Sequence, residues 1–257
     1  MKVKVLTFCD LHQWRSHYDV MQKAVALHQP DAVIFGGDFL GLQNCPKIDI
    51  VPVKEAAEII GSLPVPHVIL VRGNWEDGDN ITEFRAAWPK DKPFVALNGD
   101  TYQVGPLLVT GFPCREGDEY YWLKELKFKK KPRNGRWLTH LMQETGIAGR
   151  TLWIMHQPPV GETIGMERDS EYEWTQAVDR HQPIITVSGH AHRSPIVNQK
   201  WFTKRGETYC VNAGQDWWNP HYALIEFEFP SDQPSLPSSV SVTAIPWNQK
   251  LNINSIK

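Results

Sequence analysis

The chain has 257 residues, 41% of them hydrophobic and 22% charged, a composition that excludes an intrinsically disordered protein. Lys and Arg number 27 against 29 Asp and Glu, so the formal charge of −2 excludes a globally basic nucleic-acid binder, though not a local basic patch. No apolar run approaches the about 18 residues of a membrane-spanning helix, and the short apolar stretch before Asp10 is no signal-peptide core, so no membrane association and a cytoplasmic location are expected.

In chain order, Val3–Phe8 predicts a first strand. A helix over Tyr18–His28 follows, with Val20, Met21, Ala24, Val25 and Leu27 at helical spacing before Pro30. Ala32–Phe35 predicts the second strand and Pro52–Leu63, carrying Ala56, Ala57, Ile59 and Ile60, the second helix. Strands over Val68–Val71, Leu107–Thr110 and Leu152–Met155 come next, with a helix over Trp137–Thr145 on Leu138, Leu141 and Met142. Ile184–Val187, Tyr209–Val211 and Tyr222–Phe229 continue the strand series. Pro230–Ser239, rich in Pro, Ser and Asp, reads as a hairpin connection to a last strand, Val240–Ile245. The segment beyond that connection is too short to fold alone, so residues 1–257 read as one domain. Most strand runs are continuously apolar, as in strands covered on both faces, and their alternation with helices predicts an α/β sandwich.

The cysteines Cys9, Cys45, Cys114 and Cys210 form no C-x-x-C pair. That spacing offers neither a zinc knuckle nor a redox motif, and predicts small buried thiols in a reducing compartment.

The distinctive polar residues lie just after predicted strands. Val3–Phe8 runs into Cys9-Asp10-Leu11-His12, Ala32–Phe35 into Gly36-Gly37-Asp38, and Val68–Val71 into Arg72-Gly73-Asn74-Trp75-Glu76. Leu152–Met155 runs into His156, and Ile184–Val187 into Ser188-Gly189-His190-Ala191-His192. Open α/β sheets bind ligands beyond the carboxyl ends of their strands. Two Asp, one Asn and four His therefore converge on one edge. Taken singly, Asp10 or Asp38 fits a helix N-cap, and His156 fits a hydrogen-bonded core histidine. Taken together, in this order after five strands, they suit divalent cations such as Mn, Fe, Zn, Co or Ni. So many ligands suit two ions roughly 3.5–4 Å apart sharing a bridging carboxylate, the arrangement for phosphoester hydrolysis. Gly37, Gly73 and Gly189 are expected to let the chain turn sharply there.

The series Asp10-x-His12, Gly37-Asp38, Gly73-Asn74-x-Glu76, His156 and Gly189-His190-x-His192 resembles the calcineurin-like metallophosphoesterase superfamily. The resemblance implies a four-layer α/β/β/α sandwich of two mixed sheets flanked by helices, with a dinuclear metal centre between the sheets. It places Asp10, His12 and His192 on one ion, Asn74, His156 and His190 on the other, and Asp38 as a bridge. It implies a metal-dependent phosphoric ester hydrolase, acting through a hydroxide held between the ions on phosphodiester or activated phosphomonoester bonds of a small molecule.

The sequence departs from the pattern at Trp75, where the family has a histidine thought to protonate the leaving group. Indole is no useful acid at neutral pH. Trp75 is read either as a flat wall for a nucleobase or aryl leaving group or as packing under the metal loops. Glu76 is read as accepting backbone hydrogen bonds, with action through a water as the alternative. Leu70-Val71-Arg72-Gly73-Asn74 resembles the Leu-Arg-Gly-Asn run of the protein phosphatase branch, in which the Arg holds a phosphate oxygen. Asp38, Asn74, Arg72 and Trp75 are the expected catalytic group, with Arg72, Asn74 and Trp75 facing substrate; a surface Arg paired with an acid is the alternative for Arg72. Lys124–Arg136, flanked by Trp122 and Trp137, is a solvated charged insertion or a nucleic-acid patch. Gly161–Glu173 reads as a rim loop, and Asn212-Ala213-Gly214 as a turn near the metals. A nuclease and a catalytically weakened interaction scaffold are the rival readings.

Overall fold

The computed structural model describes residues 1–41, 49–76, 78–114, 151–159, 172–192, 194–215, 220–231, 237–245 and 249–254. The patch Lys124–Arg136 and the helix expected over Trp137–Thr145 lie outside these residues, as does the rim loop as far as residue 171; Tyr172 and Glu173 instead open a helix.

Among the described residues the strands form two mixed sheets. The first contains β1 (Lys2–Phe8), β2 (Ala32–Gly36), β3 (His67–Val71), β4 (Val95–Leu97), β11 (Tyr222–Glu228), β12 (Ser239–Ile245) and β13 (Gln249–Asn254), in the order β13-β12-β11-β1-β2-β3-β4. The second contains β5 (Thr101–Val104), β6 (Leu107–Phe112), β7 (Leu152–Met155), β8 (Ile185–Ser188), β9 (Phe202–Arg205) and β10 (Thr208–Asn212), in the order β5-β6-β7-β8-β10-β9. Each sheet contains a parallel block, which in the first sheet reaches the edge strand β4. β1 to β4 run parallel, as do β6, β7, β8 and β10, while β11 to β13, β5 and β9 pair antiparallel. β11 and β12 form the expected hairpin.

Period-two side chains explain the layering. Val3 and Val5 of β1, Ala32 and Ile34 of β2, and Ile69 and Val71 of β3 face the second sheet, where Val109, Ile154, Ile185 and Val211 meet them. The intervening Leu6, Phe8, Val33, Phe35 and Leu70 face outward. Against them pack α1 (Arg15–His28) through Tyr18 and Met21, α2 (Val53–Gly61) through Ala56 and Ile60, and α3 (Gly78–Ala87) through Phe84. The outer face of the second sheet, with Phe112, Trp153, Met155 and Cys210, is covered by Trp174 and Val178 of α4 (Tyr172–His181). A short α5 (Ser194–Asn198) follows the last histidine pair. The result is the α/β/β/α sandwich.

The sheets meet closely at Gly111 on β6. A Cβ there would lie 2.6 Å from Val71 Cγ2 and press on Leu97, and both are buried. Overpacking of this kind costs about 2 kcal/mol. Gly111→Ala is therefore expected to lower the urea midpoint by that much stability; an unchanged midpoint would show that the sheets part without cost.

Register places the site. Phe8 lies opposite Phe35 and Phe35 opposite Leu70, so β1, β2 and β3 end level. In the second sheet Ile154 lies opposite Val187 and Val187 opposite Val211, so β7, β8 and β10 end level too. Five segments that carry the candidate ligands thus leave the sandwich at one edge.

Candidate metal centre

The loops after β1 and β2 are laced together: Asp10 N donates to Gly37 O at 2.9 Å and His12 N to Asp38 O at 2.8 Å. Asp10, His12 and Asp38 take left-handed backbone conformations, with φ of 57°, 47° and 52°, and so does His190 at 59°. Such conformations cost side-chain-bearing residues on the order of 1 kcal/mol and cluster at functional sites. Gly37, at φ 95°, meets the expectation of a sharp turn. Gly73 and Gly189 do not lie in the left-handed region. They are needed for another reason: a Cβ would run into the Asp38 carboxylate at Gly73 and the Asp10 carboxylate at Gly189.

The side chains converge. One cluster is Asp10, His12 and His192; the other is Asp38, His156 and His190, and in each the candidate ligand atoms lie within 4.8 Å of one another. Asp38 lies between them, with Oδ2 3.2 Å from His156 Nε2 and 4.0 Å from His12 Nε2. The Asn74 amide joins the second cluster, 2.9 Å from His156 Nε2 and 3.0 Å from His190 Nδ1. The two sheets are tied across the site by His190 N, which donates to both Asp10 carboxylate oxygens at 3.0 Å, and by His156 Nδ1, 3.0 Å from Gly36 O. With Nδ1–H donating to that carbonyl, Nε2 faces Asp38; burial disfavours a charged ring, but the Asp38 charge outweighs it and holds the His156 pKa well above its ordinary value, so a cation would take the place of the Nε2 proton.

These residues fit divalent cations. His12 is buried with neither ring nitrogen hydrogen-bonded. Burial lowers its pKa to about 4, against the pull of Asp38, so the ring is neutral and its lone pair available. Burial also pushes Asp10 up to about 7, with the Asp38 charge adding to the shift. Burial pushes Asp38 the same way, but His156 outweighs it and holds that carboxyl down at about 2. Among the described residues the ion-pair partners of Asp10 and Asp38 are histidines. Two buried carboxylates among imidazoles form a pocket whose charge a metal offsets better than protons do.

Glu76 has the expected backbone role. It is buried, and Oε2 accepts from Asp38 N at 2.9 Å and Gly73 N at 2.6 Å, while Oε1 accepts from Leu40 N at 2.7 Å. Burial, the Asp38 charge and these N–H groups compete, leaving its pKa raised to about 8. Trp75 is 40% exposed, and its ring stands edge-on to His12 with centroids 6.2 Å apart. Arg72 follows β3 directly and is buried, so it is not a surface arginine. Asn212 makes the expected turn by accepting from Gly214 N at 2.8 Å; its Nδ2 donates to Ala191 O at 3.2 Å, which ties the turn to the His190–His192 loop.

Sequence reasoning missed Gln13. It is buried at φ 59°, donates to Val51 O at 2.7 Å and accepts from Gly41 N at 3.0 Å, bracing the loop beside His12. A single glutamine after a candidate ligand carries no signal of that role. Cys9 and Cys210 are free and buried as expected, and Cys114 is free and half-buried. Among the described residues no helix is long and apolar enough to cross a membrane.

Metal-dependent phosphoesterases are the class that this pairing of fold and ligand set defines. The chain belongs to the calcineurin-like phosphoesterase family, whose model matches residues 3–194. It is a metal-dependent phosphoric ester hydrolase. Among solved structures it is similar to a dimetal phosphatase from Danio rerio, with a TM-score of 0.64, 10% identity and 98% of each chain covered. It is also similar to the protein TT1561 of Thermus thermophilus, with a TM-score of 0.56, 12% identity and 99% of each chain covered. A third similar structure is GAP50, described as the anchor in the inner membrane complex of Plasmodium, with a TM-score of 0.59, 9% identity, and 100% of this chain and 90% of that one covered. No curated protein matches the sequence.

Proposed function

We propose that this hydrolase cleaves phosphodiesters, or phosphomonoesters with good leaving groups, in a small-molecule substrate. Asp10, His12 and His192 would hold one divalent ion, Asn74, His156 and His190 a second, and Asp38 both; manganese is the first candidate, with Fe, Zn, Co and Ni the others. The observation that carries this reading is the position of Asp38 Oδ2 between two clusters of buried ligands. When bound, two such ions supply Lewis acidity, which lowers the pKa of a water between them and offsets charge on the phosphoryl oxygens. The chain does the rest. Glu76 fixes the loops that carry Asp38 and Asn74, and the His190 N–H on Asp10 fixes its carboxylate. Arg72 is assigned to the substrate phosphate, for which a guanidinium fork is suited.

Trp75 sets the leaving-group range. Its indole stands beside the ligands and has no proton to give. An alkoxide leaves poorly without one, whereas an aryl oxide or a phosphate leaves readily. Metal-free protein supplied with Mn²⁺ is expected to turn over bis-nitrophenyl phosphate and to stop when the metal is chelated; no turnover with any of the five metals would refute the activity. Trp75→His is expected to speed hydrolysis of alkyl esters at least about tenfold more than that of nitrophenyl esters, below the full range of what a general acid contributes. Equal gains on both, or none, would refute the leaving-group argument.

A further inference from the structure

Among the described residues, Met1, Leu27, Trp75, Leu108 and Val197 are the exposed large apolar side chains, and Trp75 is the only aromatic one. A lone exposed apolar side chain needs no explanation. The place of this one does. Trp75 N donates to Asp38 Oδ1 at 2.9 Å, and the indole centroid lies 6.2 Å from that of the His12 ring. Trp75 therefore borders His12 of the first candidate cluster and Asp38, which lies between the two. The indole and the His12 ring stand at 87° to each other, so they do not stack.

The indole is also braced at its root. A Cβ on Gly41 would press on Trp75 Cβ and lie 2.8 Å from Cγ and 3.2 Å from Cδ2. Gly41, at φ 88°, is thus the residue that lets the ring seat there. Its N donates to Oε1 of the buried Gln13 at 3.0 Å, and Gln13 Nε2 donates to Val51 O at 2.7 Å. A ring held at its root, in a residue 40% exposed beside the site, is a preorganised platform. A flat group can stack on it without first ordering the side chain.

We propose that Trp75 is a specificity-determining residue: its indole stacks on a flat aromatic group of the substrate, either an aryl group bonded to the phosphate or a nucleobase one sugar away. The inference rests on the reading of this centre as that of a phosphoesterase acting on small molecules. It is separate from the leaving-group argument, because stacking strengthens binding of a flat ring whether or not that ring can leave.

Phosphonates test this, because their carbon–phosphorus bond is not hydrolysed. Phenylphosphonate carries the ring directly, and the 5′-methylenephosphonate analogue of adenosine monophosphate carries it beyond a sugar; methylphosphonate has no ring. In calorimetric titration of Mn²⁺-loaded protein, at least one ring probe is expected to bind the parent about tenfold more tightly than methylphosphonate. In Trp75→Leu that preference is expected to fall below about twofold, with Trp75→Phe between. The probe that loses its preference identifies the substrate ring as aryl or nucleobase. In ¹⁵N-labelled, Zn²⁺-loaded parent, the indole resonance that Trp75→Leu deletes is expected to shift more at saturation with that probe than with methylphosphonate. No ring preference in the parent, the same preference in Trp75→Leu, or equal indole shifts overturns the proposal, even where bis-nitrophenyl phosphate is turned over. If the parent neither binds a phosphonate nor turns over bis-nitrophenyl phosphate, the phosphoesterase reading itself fails, and this inference with it.

Discussion

Asp38→Asn is expected to leave the chain folded, to lose at least one of two metal ions, and to lower phosphoester turnover by more than about 100-fold, the upper end of what losing an outer-shell partner of a metal ligand costs. Asp38 Oδ1 accepts from Trp75 N at 2.9 Å, and Oδ2 points between His156 and His12. An asparagine must keep its oxygen on the Trp75 N–H or leave that donor facing an NH2 group. It therefore turns its own NH2 group toward the imidazoles, where the bridging anion should be. The variant loses a charge and also places a donor among ligands. Elemental analysis and bis-nitrophenyl phosphate turnover on the same sample measure both effects. Two ions retained with full turnover would show that Asp38 does not bridge.

Glu76→Ala acts on the scaffold of the site. It leaves the N–H groups of Asp38, Leu40 and Gly73 without their acceptor, in a region where Asp38 and Leu40 are buried. An unsatisfied buried N–H costs about 1–3 kcal/mol, so some relaxation still leaves a loss of about 4 kcal/mol. For a chain of this size that lowers the melting temperature of the metal-free protein by about 10 °C. Glu76→Gln keeps one oxygen acceptor and is expected to fall between alanine and the parent. If Glu76→Ala melts within about 2 °C of the parent, these loops are held by other contacts, and Glu76 has a different role.

The parallel strands β1 to β3, β6 to β8 and β10 were legible because strands buried on both faces are apolar without interruption, whereas β4, three residues at the sheet edge with Val95 and Ala96 only half-buried, was not. β1, β2, β3, β7 and β11 begin and end within a residue of the expected bounds. β5 and β9 escaped notice because they are edge strands: Thr101 and Gln103 are exposed, and Phe202–Arg205 is largely half-buried, so neither has a continuous apolar run. β13 shows only Leu251 and Ile253 on alternate positions of a polar segment. α3 buries Phe84 and little else, which leaves no stripe to read. At the site, residue types after strand ends were enough to pick out the two groups of side chains that could hold a metal ion, because sheet register brings those ends level. The roles of Gly73 and Gly189 were misread, since a glycine needed for close approach looks in sequence the same as one needed for a turn. Gln13 was not legible because its role depends on contacts with Val51 and Gly41, both distant along the chain.

The left-handed backbone at Asp10, His12, Asp38 and His190 bears on whether this chain still needs its cations. Glycine at any of the four would relieve strain on the order of 1 kcal/mol, and at the buried Asp10 and Asp38 it would also remove a carboxylate that is costly to bury. A chain kept only as a binding surface would drift toward those cheaper residues. In this chain all four positions carry the demanding residue, which a binding surface alone would not require.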